Sequence, residues 1–165
     1  MIFLIGFMGS GKSTIGRELA KELNNDCLDS DQLIEEKYKM TIGEIFARYG
    51  ENRFREMETE ILKELKGGKW SIVMTGGGMA ERKVNRDLMK NKGKVIWLNC
   101  SFEETVRRIA GDTTRPLVKE KGMDGLKALY EKRMPLYQSS SDLKIETAGL
   151  TIEETVKKIL AGLKL

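Results

Sequence analysis

Eight residues near the start of the chain, Gly6-Phe7-Met8-Gly9-Ser10-Gly11-Lys12-Ser13, have the types and spacing of a loop that cradles phosphate. Such a loop turns several backbone N–H groups inward, and glycine reaches the required dihedrals without a side-chain clash. Lys12 then supplies a point charge for β- and γ-phosphates, and Ser13 supplies a hydroxyl for Mg²⁺. The helix predicted to follow presents its positive N-terminal end to the same anion. Gly9, Ser10, Gly11 and Thr14 complete the candidate nucleotide-binding set. The alternative is a plain glycine-rich turn between strand and helix, and both flanks of the loop argue against it.

Three further groups carry chemistry. Asp29-Ser30-Asp31 falls at the end of a short predicted strand and the start of a helix, so alternate positions direct one carboxylate toward a metal and the other across a cleft. Helix capping by Asp31, or turn-forming roles for both, is the structural alternative. Arg55 and Glu58 lie three apart on a helix and are neighbours on one face. They read equally as a surface ion pair or as a guanidinium fork for a substrate carboxylate with a glutamate orienting it. Gly76-Gly77-Gly78 follows a strand at the edge where ligands bind. Flexible backbone there would let a substrate approach N–H groups, although a helix-entry turn uses glycine too. Arg133 is either a second cationic contact or part of a solvated face.

The elements that position these groups follow from the hydrophobic pattern. Apolar runs at Ile2–Ile5, Ile72–Met74 and Val95–Leu98 predict strands buried on both faces, and shorter strands are expected at Asp26–Asp29 and Leu143–Thr147. Helical segments alternate with them, which predicts an α/β fold: a three-layer sandwich with a five-stranded parallel sheet. Capping boxes are expected at Thr41 with Glu44, Ser101 with Glu104, and Thr151 with Glu154. Phe54, Met57, Ile61 and Leu65 make one stripe of a helix between Arg53 and Lys66, stopped by Gly67-Gly68. Residues 110–122 have few apolar anchors and read as a loop, and an arginine within it, Arg115, suggests a closing lid.

The 165 residues fit one domain. With no histidine in the chain, proton chemistry falls to carboxylates, lysines or arginines. Cys27 and Cys100 lack metal-ligand spacing and read as reduced core residues of a cytoplasmic protein. The net charge of +4 is spread among interspersed lysines and glutamates, so no nucleic-acid partner is expected. No run approaches the roughly 20 apolar residues of a membrane span, and no leader segment is expected. One apolar stripe on Ile152–Leu163, which the sheet can absorb, predicts a monomer.

Taken in order, these motifs resemble the shikimate kinase family, within the nucleoside monophosphate kinase-like branch of the P-loop NTPase fold. The resemblance covers nearly the whole chain. Besides the groups above it rests on Ile34-Glu35, Gly50-Glu51 with Phe54, Arg115-Pro116-Leu117, and Pro135-Leu136-Tyr137. It implies transfer of the γ-phosphate of ATP to the 3-hydroxyl of shikimate, in the pathway to chorismate and the aromatic amino acids. It also implies Mg²⁺ at Ser13 and, through water, at Asp29, and a shikimate site of Asp31, Arg55, Gly76, Gly77, Gly78 and Arg133. By the same resemblance Lys12, Asp31 and Arg115 are catalytic, with Asp31 accepting the hydroxyl proton. Arg108 would stack on adenine and the loop Thr147–Leu150 would touch its edge. A substrate-binding helical segment is implied at about 31–66. Lys39 stands where the family often has glycine, a difference expected to affect only a turn. A gluconate kinase would need fewer carboxylate-binding arginines, and a nucleotide-switched binding module would leave the aspartates and glycines without a purpose.

Overall fold

The computed structural model describes the backbone of residues 1–110 and 116–165, and the side chains of all of these except 116–121. Five parallel strands, β1 (Ile2–Ile5), β2 (Cys27–Asp29), β3 (Ile72–Met74), β4 (Lys94–Asn99) and β5 (Leu143–Glu146), form one sheet in the order β2-β3-β1-β4-β5. Ile2 of the central strand pairs with Ile72 on one side and Lys94 on the other. The connection from β3 to β4 passes across β1, so the chain switches direction beside the loop that leaves β1, where open α/β sheets bind ligands.

The strands read as unbroken apolar runs because helices cover both faces. Alternate residues serve two cores. Phe3, Ile5, Val73, Val95 and Trp97 face one cluster, shared with Ile34, Met57, Leu62 and Tyr137. Ile2, Leu4, Ile72, Met74, Ile96 and Leu98 face the other, shared with Leu19 and Ile159. The second cluster draws on α1 (Lys12–Glu22) and α7 (Ile152–Leu163), so the stripe of the last helix is absorbed as expected. Among the described residues no helix is long and apolar enough to cross a membrane.

On the first face, α2 (Ser30–Tyr38) and α3 (Ile42–Glu64) pack together. The capping box at Thr41 and Glu44 forms with both reciprocal bonds. Gly50, at φ 77° and ψ 174°, breaks α3 into two helices, so the functional half starts just after Gly50 rather than near Arg53. It ends at Glu64, not Lys66, because Leu65 has left helical geometry (φ −51°, ψ 119°). After a short 3₁₀ turn (Met79–Glu81), α4 (Lys83–Lys92) precedes β4 and α5 (Phe102–Ile109) follows it. The last large helix, α6, runs Pro116–Ser140 with a break at Gly122 (φ 62°, ψ −174°). Helix therefore replaces the expected loop from Pro116 onward, proline suiting a first helical turn. Residues 111–115, including Arg115 and the central part of the expected lid, lie outside the described residues.

Lys39 closes α2 in the left-handed region, at φ 54° and ψ 37°. A side chain is disfavoured there and glycine is not. Lys39→Gly is expected to raise unfolding stability by about 0.5–1 kcal/mol, measured by urea denaturation, with unchanged turnover.

Candidate active site

The loop after β1 has the backbone its spacing predicts. Gly9 and Gly11 lie at φ 76° and 92°, the latter as the N-cap of α1. Gly6 has no room for a side chain: a Cβ there would sit 2.5 Å from the Leu98 carbonyl oxygen. Lys12 folds back over this loop, its Nζ donating to the carbonyls of Gly6 (2.7 Å) and Phe7 (2.9 Å). Ser10 departs from expectation. It is fully buried against Gly6 and does not line the cleft, and its hydroxyl has no partner among the described residues, while its N–H is bonded to Phe7 O.

A cleft of about 650 Å³ runs over the loop. Gly9, Gly11, Lys12, Ser13, Thr14, Asp29 and Asp31 are among the residues that line it. Thr147, Leu150 and Arg108 line one end, and Arg55, Arg133 and the glycine run line the other. Arg108 reaches it through a half-formed capping box. Ser101 accepts from the Glu104 N–H as expected, but the Glu104 carboxylate turns instead to Arg107 and Arg108. Arg108 Nη1 then donates to Gly9 O at 3.3 Å, which lays the guanidinium over the loop.

The capping alternative raised for Asp31 belongs to Asp29, whose Oδ1 accepts from the N–H groups of Asp31 (2.9 Å) and Gln32 (3.4 Å). Asp31, in the first turn of α2, is thereby left to face the cleft. Burial, and then the Asp29 charge, raise its carboxyl from 3.8 to about 6, against the pull of Lys12 and Arg55. Among the described residues no group of three or more acidic or cysteine side chains could hold a metal unaided. Ser13 and Asp29, two oxygen donors beside a phosphate loop, fit a Mg²⁺ that keeps waters and phosphates as its other ligands.

Arg55 and Glu58 are no surface pair. Glu58 is fully buried and accepts from Arg55 Nη1 at 2.9 and 3.0 Å, while Arg55 Nη2 donates to Glu51 at 2.9 Å. Burial pushes the Glu58 carboxyl up to about 7, opposed first by Arg55. Arg82 holds the helix from behind, donating to Arg55 O and Thr59 Oγ1, both at 3.2 Å. Arg133, on α6, is 2% exposed and lies with its guanidinium 5.7 Å from the Phe7 ring centre. Its Nε (2.9 Å) and Nη2 (2.7 Å) both donate to Glu81 Oε1.

Gly76, Gly77 and Gly78 have a packing role beside the substrate approach expected of them. None of them has positive φ. Instead each backs a different functional side chain: a Cβ at Gly76 would meet Asp31 Oδ1 at 2.6 Å, at Gly77 Arg133 Nη1 at 3.3 Å, and at Gly78 Arg55 Nη1 at 2.1 Å. The run is a floor whose missing side chains make room for Asp31, Arg133 and Arg55. It is anchored by the buried Ser30, whose Oγ accepts from Gly76 N–H at 3.0 Å, and by the Tyr137 hydroxyl, which donates to Gly77 O. Sequence reasoning missed Glu81, and it quoted Ser30 and Tyr137 only inside the motifs Asp29-Ser30-Asp31 and Pro135-Leu136-Tyr137, with no role of their own. Tyr137 carried a further signal, sitting four residues after Arg133 on the same helical face.

A family model described as shikimate kinase matches residues 8–164. A shikimate kinase of Geobacter sulfurreducens is 43% identical over 159 residues, spanning 96% of this chain and 87% of the relative. One from Thermodesulfovibrio yellowstonii is 41% identical over 160 residues, spanning 96% and 92%. The solved structure of shikimate kinase from Acinetobacter baumannii in complex with shikimate superposes with a TM-score of 0.92 at 38% identity, covering 99% of this chain and 92% of that one. The phosphate loop and the arginine-lined end of the cleft thus sit in a chain that matches these proteins almost from end to end, and it belongs to the shikimate kinase family.

Proposed function

We propose that this chain transfers the γ-phosphate of ATP to the 3-hydroxyl of shikimate, a step toward chorismate and the aromatic amino acids. The observation that carries the reading is the convergence of Asp31, Arg55 and Arg133 on one glycine floor, in the same cleft as Lys12. Two guanidiniums suit an acceptor with a carboxylate, to which each brings a fixed positive charge and N–H donors. Asp31 shares the cleft and feels the charges of both Lys12 and Arg55, which suits a group that orients an acceptor hydroxyl and takes its proton. Phosphoryl transfer asks mainly for alignment and neutralised charge, which Lys12 and the α1 N-terminus supply at the β- and γ-phosphates. Mg²⁺, when bound by Ser13 and through water by Asp29, would add charge neutralisation at those phosphates. Arg115 is assigned to the same task by its place in the family motif, as part of a lid that closes over ATP and excludes water. The protein acts as a cytoplasmic monomer in this reading.

The test is ADP release with ATP and Mg²⁺ in the presence of shikimate, gluconate or no acceptor. Stimulation by shikimate alone is the expected result, and stimulation by gluconate or by neither acceptor would overturn the assignment. At the other end of the cleft, Arg108 is the adenine-stacking residue. Arg108→Ala is expected to raise the KM for ATP about fivefold, the scale of one exposed cation–π contact, with the KM for shikimate unchanged. Equal shifts in both would remove Arg108 from the nucleotide site.

A further inference from the structure

The buried guanidinium of Arg133 has a partner that the reaction does not call for. Glu81 lies in the 3₁₀ turn just beyond the glycine floor, and its Oε1 accepts from both Nε and Nη2 of Arg133. Its Oε2 accepts from Lys132 Nζ at 2.9 Å, and Oε1 lies 3.9 Å from Arg55 Nη2. Burial alone would raise the Glu81 carboxyl, but Lys132 and Arg133 outweigh it and hold it below the ordinary glutamate range. It is therefore an anion at neutral pH.

The geometry divides the Arg133 guanidinium into two edges. The Nε and Nη2 edge is taken by Glu81, while Nη1 is the nitrogen nearest Gly77 on the floor of the cleft. A guanidinium is planar, so fixing one edge fixes the direction of the remaining nitrogen. We propose that Glu81 is a positioning residue for the acceptor's carboxylate: it clamps Arg133 by its far edge and aims Nη1 into the cleft beside Arg55. This deepens the acceptor assignment above and rests on it.

Two features separate this from a surface ion pair of small consequence. Arg133 is 2% exposed and the Glu81 side chain 16%, so neither swings freely in water. The opposite arginine is built the same way, with Glu58 and Glu51 clamping Arg55 from its own helix. Both guanidiniums are thus held before any acceptor arrives, and an acceptor meets a site whose ordering is already complete.

The experiment is steady-state kinetics of the wild type, Glu81→Ala and Glu81→Gln, with shikimate and ATP varied separately and a thermal melt for each protein. Glu81→Ala is expected to raise the KM for shikimate about tenfold, with kcat and the KM for ATP within about twofold of wild type. Glu81→Gln keeps an oxygen that accepts from Nε and Nη2 and is expected to recover most of the loss. If the alanine variant melts too low to assay, the glutamine variant decides, and a shikimate KM raised more than about tenfold there overturns the proposal. An unchanged shikimate KM in Glu81→Ala, or a parallel loss for ATP, also overturns it while leaving the acceptor assignment standing. A wild type that shows no shikimate-dependent turnover overturns both.

Discussion

Asp31→Asn is expected to lower kcat by about a thousandfold, within the range for a positioned general base, and to make the protein more stable at pH 8. The two effects share one cause. Asp31 is held where burial and the Asp29 charge disfavour its ionised form, which raises its carboxyl from 3.8 to about 6 in the folded chain. A carboxyl that binds its proton more tightly when folded favours folding at low pH. That advantage is whole below about pH 4 and fades as pH rises through about 6. Above pH 6 the wild type carries the full cost of the buried charge, on the order of 2–3 kcal/mol. Asparagine carries no charge, so its stabilising effect is expected at pH 8 and absent near pH 4. Over the same range the wild-type kcat/KM should rise with pH and level off above about 6 as Asp31 loses its proton. Melting curves at pH 4, 6 and 8 beside kcat for both proteins read the two effects together. Retained turnover removes Asp31 as the base, and a pH-independent stability difference removes the buried-charge account.

What could be read from the sequence divides according to the range of the forces involved. The strands were legible because a run buried on both faces has no polar interruptions, as β1 and β3 illustrate. The capping boxes at Thr41 and Thr151 were legible because both partners lie within one helical turn. The box at Ser101 formed only in part, since Arg107 and Arg108 on the next turn compete for Glu104 and win its carboxylate. In the site, the residue types pointed to phosphate and carboxylate chemistry, but their partners did not show. Arg133 and Glu81 are 52 residues apart, and Gly76 and Ser30 are 46 apart. Such pairs are made by the pairing of β2 with β3 and the packing of α6 onto the floor, which no local pattern encodes. The glycine run was found for its composition, and its packing role was not. Dihedral freedom is a local property, whereas room for a neighbour is set by α2, α3 and α6.

That distinction has its sharpest consequence at Gly78. A Cβ there would fall 2.1 Å from Arg55 Nη1 and 2.3 Å from its Cζ, distances at which one group has to move. The backbone of Gly78 has negative φ (−90°), so alanine strains nothing locally. What yields is the end of the Arg55 side chain, which must leave the fork with Glu58 and Glu51. Gly78→Ala is therefore expected to fold with lowered stability, because Glu58 stays buried without its cation, and to lose about a hundredfold in kcat/KM for shikimate, the scale for misplacing one positioning contact. Its affinity for ATP should be unchanged, because no Cβ contact at Gly78 involves the phosphate loop. Gly77→Ala supplies the internal comparison. There the nearest atom, Arg133 Nη1, would be 3.3 Å away, close enough to press on the guanidinium without displacing it. A loss of about threefold to tenfold is expected. Dihedral freedom would predict no such order between two glycines that both lie outside the positive-φ region. Equal losses in the two variants, or a Gly78→Ala that binds shikimate normally, would show that the floor does not set the position of Arg55.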